Sequence, residues 1–216
     1  MESGILESVN VGTPRPIDRA GEPTTSAIWK EPVSGRVAVR GVNVEGDDQA
    51  DRSVHGGPDQ AVYAYAAEDT EWWEAELGRS LGPGAFGENV TVRGVDVSGA
   101  LVGERWRIGT VLLEVSSARI PCWKLAKRMG DPRFIKRFAQ AGRPGAYLRI
   151  IEEGELGAGD PVEVVERPNH EVTVWLVAHA YEQDRSQLVR LLTAPALPAR
   201  WRKWIVEAIP RYSSAR

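Results

Sequence analysis

Three short stretches of this 216-residue chain carry side chains suited to chemistry. The first is Arg119-Ile120-Pro121-Cys122-Trp123-Lys124. Pro121 ends the strand before it, which puts the chain's one cysteine at a strand-to-helix turn. A thiol there meets positive backbone dipoles, and Arg119 and Lys124 add cations; all three effects lower a thiol pKa. That pattern suits a thiolate nucleophile or a soft metal ligand, where the common role of a lone cysteine is that of a small buried hydrophobe. The second stretch, Gly46 to Gln60, holds Asp47, Asp48 and Asp51 and then His55-Gly56-Gly57-Pro58. Its glycines let backbone approach a ligand, and consecutive free N–H groups there would hold an anion. The plain alternative is a solvated turn with a locally bonded His55. The third, Gly84 to Thr91, opens a strand with Glu88 and Asn89 after a glycine turn, where an asparagine often serves only the turn.

Composition narrows the classes. Lys and Arg number 27 against 30 Asp and Glu, a net charge of -3, so the basic footprint of a nucleic-acid binder is missing. A single cysteine cannot make an internal disulfide, a zinc ribbon or a multi-cysteine iron–sulfur site within this chain. The sequence has no Walker lysine motif, no Gly-x-Gly-x-x-Gly after a strand and no Gly-x-Ser-x-Gly elbow. No apolar run is long enough for a membrane helix, and the start Met1-Glu2-Ser3-Gly4 does not resemble a signal peptide, so a cytoplasmic protein without membrane contact is expected.

The elements that must position these residues are mostly strands. Glycine and proline punctuate short β-branched runs. Strands are expected at Ile5–Val11, Ser26–Lys30, Gly35–Val39 (continued or bent through Gly41–Val44), Ala61–Tyr65, Glu88–Arg93, Glu104–Ile108, Val111–Ser116, Tyr147–Glu152 and Pro161–Glu166. Ala61–Tyr65 shows no alternation, which fits a strand covered on both faces. Ile108-Gly109-Thr110-Val111 reads as a tight hairpin. Helices are expected over Glu68–Leu77, with Gly78 closing it, and over Cys122–Met129 and Pro132–Gln140. Beyond Arg167-Pro168-Asn169 glycine nearly vanishes, and three helices are expected at Thr173–Glu182, Ser186–Leu192 and Pro198–Ile209. The expected division is residues 1–167 as a β domain and 168–216 as a small helical module.

In this order the three blocks resemble the MOSC domain, named for the C-terminal domain of molybdenum-cofactor sulfurase. They read Asp47-x-Gln49-Ala50-Asp51-x-x-Val54-His55-Gly56-Gly57, Gly84-Ala85-Phe86-Gly87-Glu88-Asn89-Val90-Thr91 and Arg119-x-Pro121-Cys122-x-Lys124. The helical tail resembles the three-helix module of a bacterial branch that reduces N-hydroxylated bases such as 6-N-hydroxylaminopurine, a detoxification. The resemblance implies a mainly β fold, a mostly antiparallel barrel with peripheral helices over about residues 5–166. It implies molybdenum cofactor, a metal–pterin, rather than pyridoxal phosphate, with Cys122 as the metal ligand and catalytic residue. His55, Gly56, Gly57, Glu88, Asn89, Arg119 and Lys124 would bind the cofactor, and Asp51 would orient His55 or carry a proton. It further implies an N-hydroxylated small-molecule substrate and, with no flavin or nicotinamide motif here, a separate electron-donor reductase. A homodimer is one arrangement it allows. The alternative from another class is a non-catalytic carrier of the cofactor or of sulfur. Two departures stand out: Gln60 where many relatives have lysine, and Arg52 where many have an apolar residue. Trp201 and Trp204 would either anchor a partner or pack the tail onto the barrel.

Overall fold

The computed structural model describes residues 3–19, 21–48 and 56–213. Among them are thirteen strands: β1 (Ser3–Val11), β2 (Arg15–Arg19), β3 (Glu22–Ser26), β4 (Glu31–Val33), β5 (Arg36–Arg40), β6 (Asn43–Val44), β7 (Val62–Ala66), β8 (Val90–Arg93), β9 (Arg105–Ile108), β10 (Val111–Ala118), β11 (Ala146–Glu152), β12 (Gly154–Gly157) and β13 (Pro161–Glu166). Seven of them close a barrel in the order β13-β9-β10-β11-β7-β8-β1. The closing seam pairs Ser3 with Glu163, Gly4 with Val162 and Ile5 with Pro161. Every barrel pair is antiparallel except β7–β8, where Ala64 opposes Val90 in parallel register. Parallel neighbours need a crossover, and helix α1 (Ala67–Leu77) supplies it. Gly78 ends that helix in the left-handed conformation, its N–H donating to the Glu74 carbonyl.

Strand β7 divides two cores. Val62, Ala64 and Ala66 face the barrel interior. Tyr63 and Tyr65 point the other way, into an aromatic cluster with Trp73, Phe86, Phe134 and Phe138. Tyr65 stacks on Phe86 at 4.3 Å. This cluster is roofed by α1, α2 (Trp123–Met129) and α3 (Phe134–Ala141). The unbroken apolar run of the strand has this origin: both faces are buried.

One expectation about strands changes. Residues 27–30 form no strand; β2 and β3 make a hairpin just before them. The segment is instead clasped by glycines that close in on its backbone. A Cβ on Gly12 would meet the Ala27 carbonyl oxygen at 2.7 Å, and one on Gly84 would meet the Lys30 carbonyl oxygen at 2.6 Å. Of the two courses open to residues 41–44, the chain takes the bend and folds back on β5, Val39 pairing with Val44. The short strands β4 and β12 carry too few residues to show a period.

In the tail, α4 (Val174–Glu182) begins at Thr173, whose Oγ1 accepts from the Leu176 N–H at 3.0 Å. Helix α5 (Leu188–Leu191) is shorter than expected, because residues 185–187 form a tight 3-10 turn capped by Asp184. Helix α6 (Ala199–Ser213) completes the set. One apolar core runs from barrel residues such as Trp106 and Val115 to Val174, Leu188 and Ile205 of the tail. Arg149 of β11 crosses the same seam, holding Glu114 at 2.7 Å and the Ala196 carbonyl oxygen at 2.6 Å. Trp201 and Trp204 both pack within this seam.

Candidate functional site

Strand β10 stops at Ala118 and hands the chain to Arg119, Ile120, Pro121 and Cys122 before α2 starts. Cys122 has extended backbone (φ -129°, ψ 171°) as the residue capping α2, and its carbonyl accepts from the Leu125 N–H at 3.0 Å. Arg119, only 5% exposed, is driven inward beneath it. Its guanidinium lies over the rings of Tyr63 at 5.2 Å and Phe138 at 5.7 Å. Nη1 of Arg119 is buried and has no hydrogen-bond partner. The Tyr63 and Tyr147 phenols serve the rest of the guanidinium, but they are neutral, so the buried cation carries a desolvation cost that an anion beside it would offset.

These residues open onto a cleft of about 760 Å³. Arg119, Cys122 and Lys124 form one side, and Lys30, Asp47 and Asn89 another. Gly56, Gln60, Tyr63 and Tyr147 also reach it. Asn89 is held from three directions: its Oδ1 accepts from the Tyr63 N–H at 3.1 Å, and its Nδ2 donates to Asp47 Oδ2 at 2.9 Å and to the Asn10 carbonyl oxygen at 3.4 Å. Asp47 also pairs with Lys30, and its Oδ1 accepts from the Gly12 N–H at 2.8 Å. Burial pulls the Lys30 ammonium below its ordinary range, with Asp47 opposing the shift. Burial pushes the phenols of Tyr63 and Tyr147 up, with Arg119 opposing it, so both stay protonated at neutral pH. Tyr63 spends its proton on the Pro144 carbonyl at 2.9 Å.

Cys122, Arg119, Asn89, Lys124 and Gly56 thus share one cleft. Gly57 stands next to it, at φ 81°, starting the turn Pro58–Gln60. Gln60 Oε1 accepts from the Gly56 N–H at 2.9 Å, so Gln60 braces the glycine turn. Asp51 and His55 lie outside the described residues.

Glu88 is corrected: it is fully buried and does not line the cleft. One carboxylate oxygen accepts from the Gly84 N–H at 2.6 Å and the Thr91 hydroxyl at 3.0 Å, and the other from the Phe86 N–H at 3.0 Å. It ties the glycine turn to β8 and so holds Asn89 in place. Glu88→Gln aims an amide N–H at one of these donors. It is expected to cost about 1–3 kcal/mol in urea unfolding and to leave ligand retention per folded molecule unchanged. A variant as stable as the parent would refute the bracing role.

Lys30, Tyr63 and Tyr147 are site residues that the sequence did not reveal. Lys30 is fixed by glycines distant in sequence, and the two tyrosines oppose each other across β7 and β11. Only the register brings them together; paired glycine turns at 84 and 87 were the one available hint of a close approach.

Residues 51–163 match the MOSC domain family. The chain belongs to that family. This MOSC protein is 36% identical over 198 residues to the uncharacterized protein YflK of Bacillus subtilis, covering 90% of each chain. It is 34% identical over 192 residues to a protein named reductase from Gibberella moniliformis, a match spanning 87% of this chain and 33% of that one. The solved structure of YiiM from Geobacillus stearothermophilus superposes with a TM-score of 0.77 at 32% identity, covering 95% of this chain and 98% of that one. The family is associated with the molybdenum cofactor. Among the described residues no three His, Cys, Asp or Glu side chains cluster as a protein-built metal site, and no helix is long and apolar enough to cross a membrane.

Proposed function

We propose that this MOSC protein is a molybdenum-cofactor-dependent oxidoreductase that reduces N-hydroxylated compounds, with 6-N-hydroxylaminopurine representing the substrate class. The observation that supports it best is the buried guanidinium of Arg119, with Nη1 unsatisfied, in the same cleft as the Cys122 thiol. The donor set fits an anionic group already ligated by sulfur: a soft thiol for a thiophilic metal, and a fixed cation for a phosphate.

When bound, the cofactor supplies two-electron oxygen-atom chemistry at molybdenum, with two sulfurs from its dithiolene. Cys122 would be the protein's own sulfur ligand to it. Arg119 and the Gly56-Gly57 turn would hold the phosphate, Lys124 would add charge at the rim, and Asn89 would meet the polar pterin edge. Asp47, paired with Lys30, fixes the Asn89 amide at the cleft wall. The net change is R–NHOH + 2e⁻ + 2H⁺ → R–NH₂ + H₂O, the electrons coming from a separate reductase. Tyr147, whose phenol stays protonated, lines the cleft together with Cys122 and would offer a hydrogen-bond donor to the substrate. On sequence grounds Asp51 keeps its role of orienting His55 or carrying a proton, and His55 that of a phosphate ligand.

The test is the molybdenum content of protein purified from a cell that makes the cofactor, followed by turnover of a panel of N-hydroxylated substrates with a chemical reductant. Metal together with turnover supports the reading. Metal without turnover favours a carrier, and absence of metal under these conditions refutes cofactor binding.

A further inference from the structure

Behind Cys122 lies a second pocket, about 900 Å³ and open to solvent, whose far wall comes from the C-terminal helices: Tyr181 of α4 and Arg200, Trp201 and Trp204 of α6. Cys122, Gln60, Ile120 and Tyr147 line both this pocket and the cofactor-type cleft, so the two chambers meet at the thiol. We propose that the tail-built pocket is the substrate-recognition chamber, and that Trp204, Tyr181 and Arg200 set a preference for neutral planar rings over aliphatic or cationic compounds. This rests on the reading of Cys122 as the metal ligand.

The two chambers differ in chemistry. The first is charged, with Lys30, Asp47, Arg119 and Lys124 in its wall. Among the described residues the second has Arg200 as its one charged lining residue and is otherwise mostly aromatic or aliphatic. An anionic cofactor belongs in the first, which leaves the second as the side from which a substrate reaches Cys122.

The ring geometry makes the far wall firm. Trp201 is 8% exposed and belongs to the core. Trp204 meets it edge-on at 5.6 Å and 88°, and Tyr181 lies 5.0 Å from Trp204. Arg185 rests over the rings of Tyr181 and Trp204 at 4.8 and 4.9 Å, holding both in place. Firm aromatic walls reward a flat ring with area and stacking at little cost in ordering. An aliphatic N-hydroxyl compound gains neither. Arg200 is exposed at the rim and close enough to Tyr147 to act on its phenol electrostatically, so it opposes entry of a cation. The helical module thereby acquires a role beyond packing: it completes the reaction site.

The test is equilibrium binding by calorimetry, without reductant, to protein of measured molybdenum content. Benzamidoxime, acetamidoxime and benzamidine serve as probes: a ring with N–OH, N–OH without a ring, and a ring bearing a cation. Benzamidoxime should bind at least about tenfold tighter than either of the others, the scale of a ring's worth of buried area. Trp204→Ala should collapse the benzamidoxime-to-acetamidoxime ratio to within about twofold, and Trp204→Phe should keep most of it. Arg200→Glu, at an exposed position that threatens no core, should raise benzamidine affinity about tenfold and leave acetamidoxime alone. If Trp204→Ala does not fold, the Arg200→Glu result decides. Equal binding of the three probes to the parent, or ratios unmoved by Arg200→Glu, overturns the proposal. Binding does not require turnover, so a failure of the redox reading would appear separately, as absent metal or absent reduction with the ring preference intact.

Discussion

Cys122→Ser is expected to abolish turnover of N-hydroxylated substrates and to strip molybdenum from the protein, while the fold stays as it is. The two side chains are nearly isosteric, and Cys122 is only part-buried, so little packing is lost. Its backbone carbonyl still receives the Leu125 N–H, and serine is a better residue than cysteine at the capping position of α2. The melting temperature should therefore move by no more than about 2 °C, a fraction of a kcal/mol in a chain of this size. A hydroxyl has a far higher pKa than a thiol and is a hard ligand, so it does not replace thiolate at a sulfur-bound metal. Loss of metal retention should exceed the roughly 10–100-fold typical of changes one shell further out. The measurements are metal content by mass spectrometry, turnover of a hydroxylaminopurine and thermal unfolding. Full activity of Cys122→Ser at matched molybdenum occupancy would reject the thiolate role.

Much of this site could be read before the fold was known, because its parts are local. The strand stop at Pro121, the cysteine after it and the arginine three residues before it form one turn, and their relative placement is settled within a few residues. The barrel was legible for a related reason: strands such as Val111–Ala118 and Pro161–Glu166 carry their own β-branched signal. What was hidden depends on register and close approach. Lys30 enters the cleft because residues 27–30 are clasped by Gly12 and Gly84, and nothing in Ile28-Trp29-Lys30 signals that. Tyr63 and Tyr147 meet because β7 and β11 pair at that step. Glu88 was misassigned for the opposite reason. Its neighbour Asn89 does reach the cleft, but Glu88 turns into the interior at the end of the glycine turn, just before β8 begins. There it serves two N–H donors of the glycine turn and the Thr91 hydroxyl of β8.

Arg119→Met should change stability and ligand retention in opposite directions. In protein without cofactor, the Arg119 guanidinium is buried, no carboxylate among the described residues pairs with it, and Nη1 is unsatisfied. Its compensation there comes from the neutral phenols of Tyr63 and Tyr147 and from the ring faces of Tyr63 and Phe138, each face worth up to about 2 kcal/mol when desolvated. Removing a poorly compensated buried charge while keeping the apolar stem often stabilises a protein, by about 1–4 kcal/mol in related cases. Cofactor-free Arg119→Met should accordingly melt a few degrees above the cofactor-free parent, at roughly 2–4 °C per kcal/mol for this chain length. The same change removes a charge-assisted contact worth about 1.5–3 kcal/mol, so cofactor retention should fall roughly 10–100-fold. Arg119→Lys keeps the charge but not the planar fork, and should retain cofactor at a level between the two. Thermal unfolding of metal-free protein and molybdenum content after gel filtration check both signs. A cofactor-free Arg119→Met that melts well below its parent would mean that the cation serves the aromatic core and is not held in readiness for an anion.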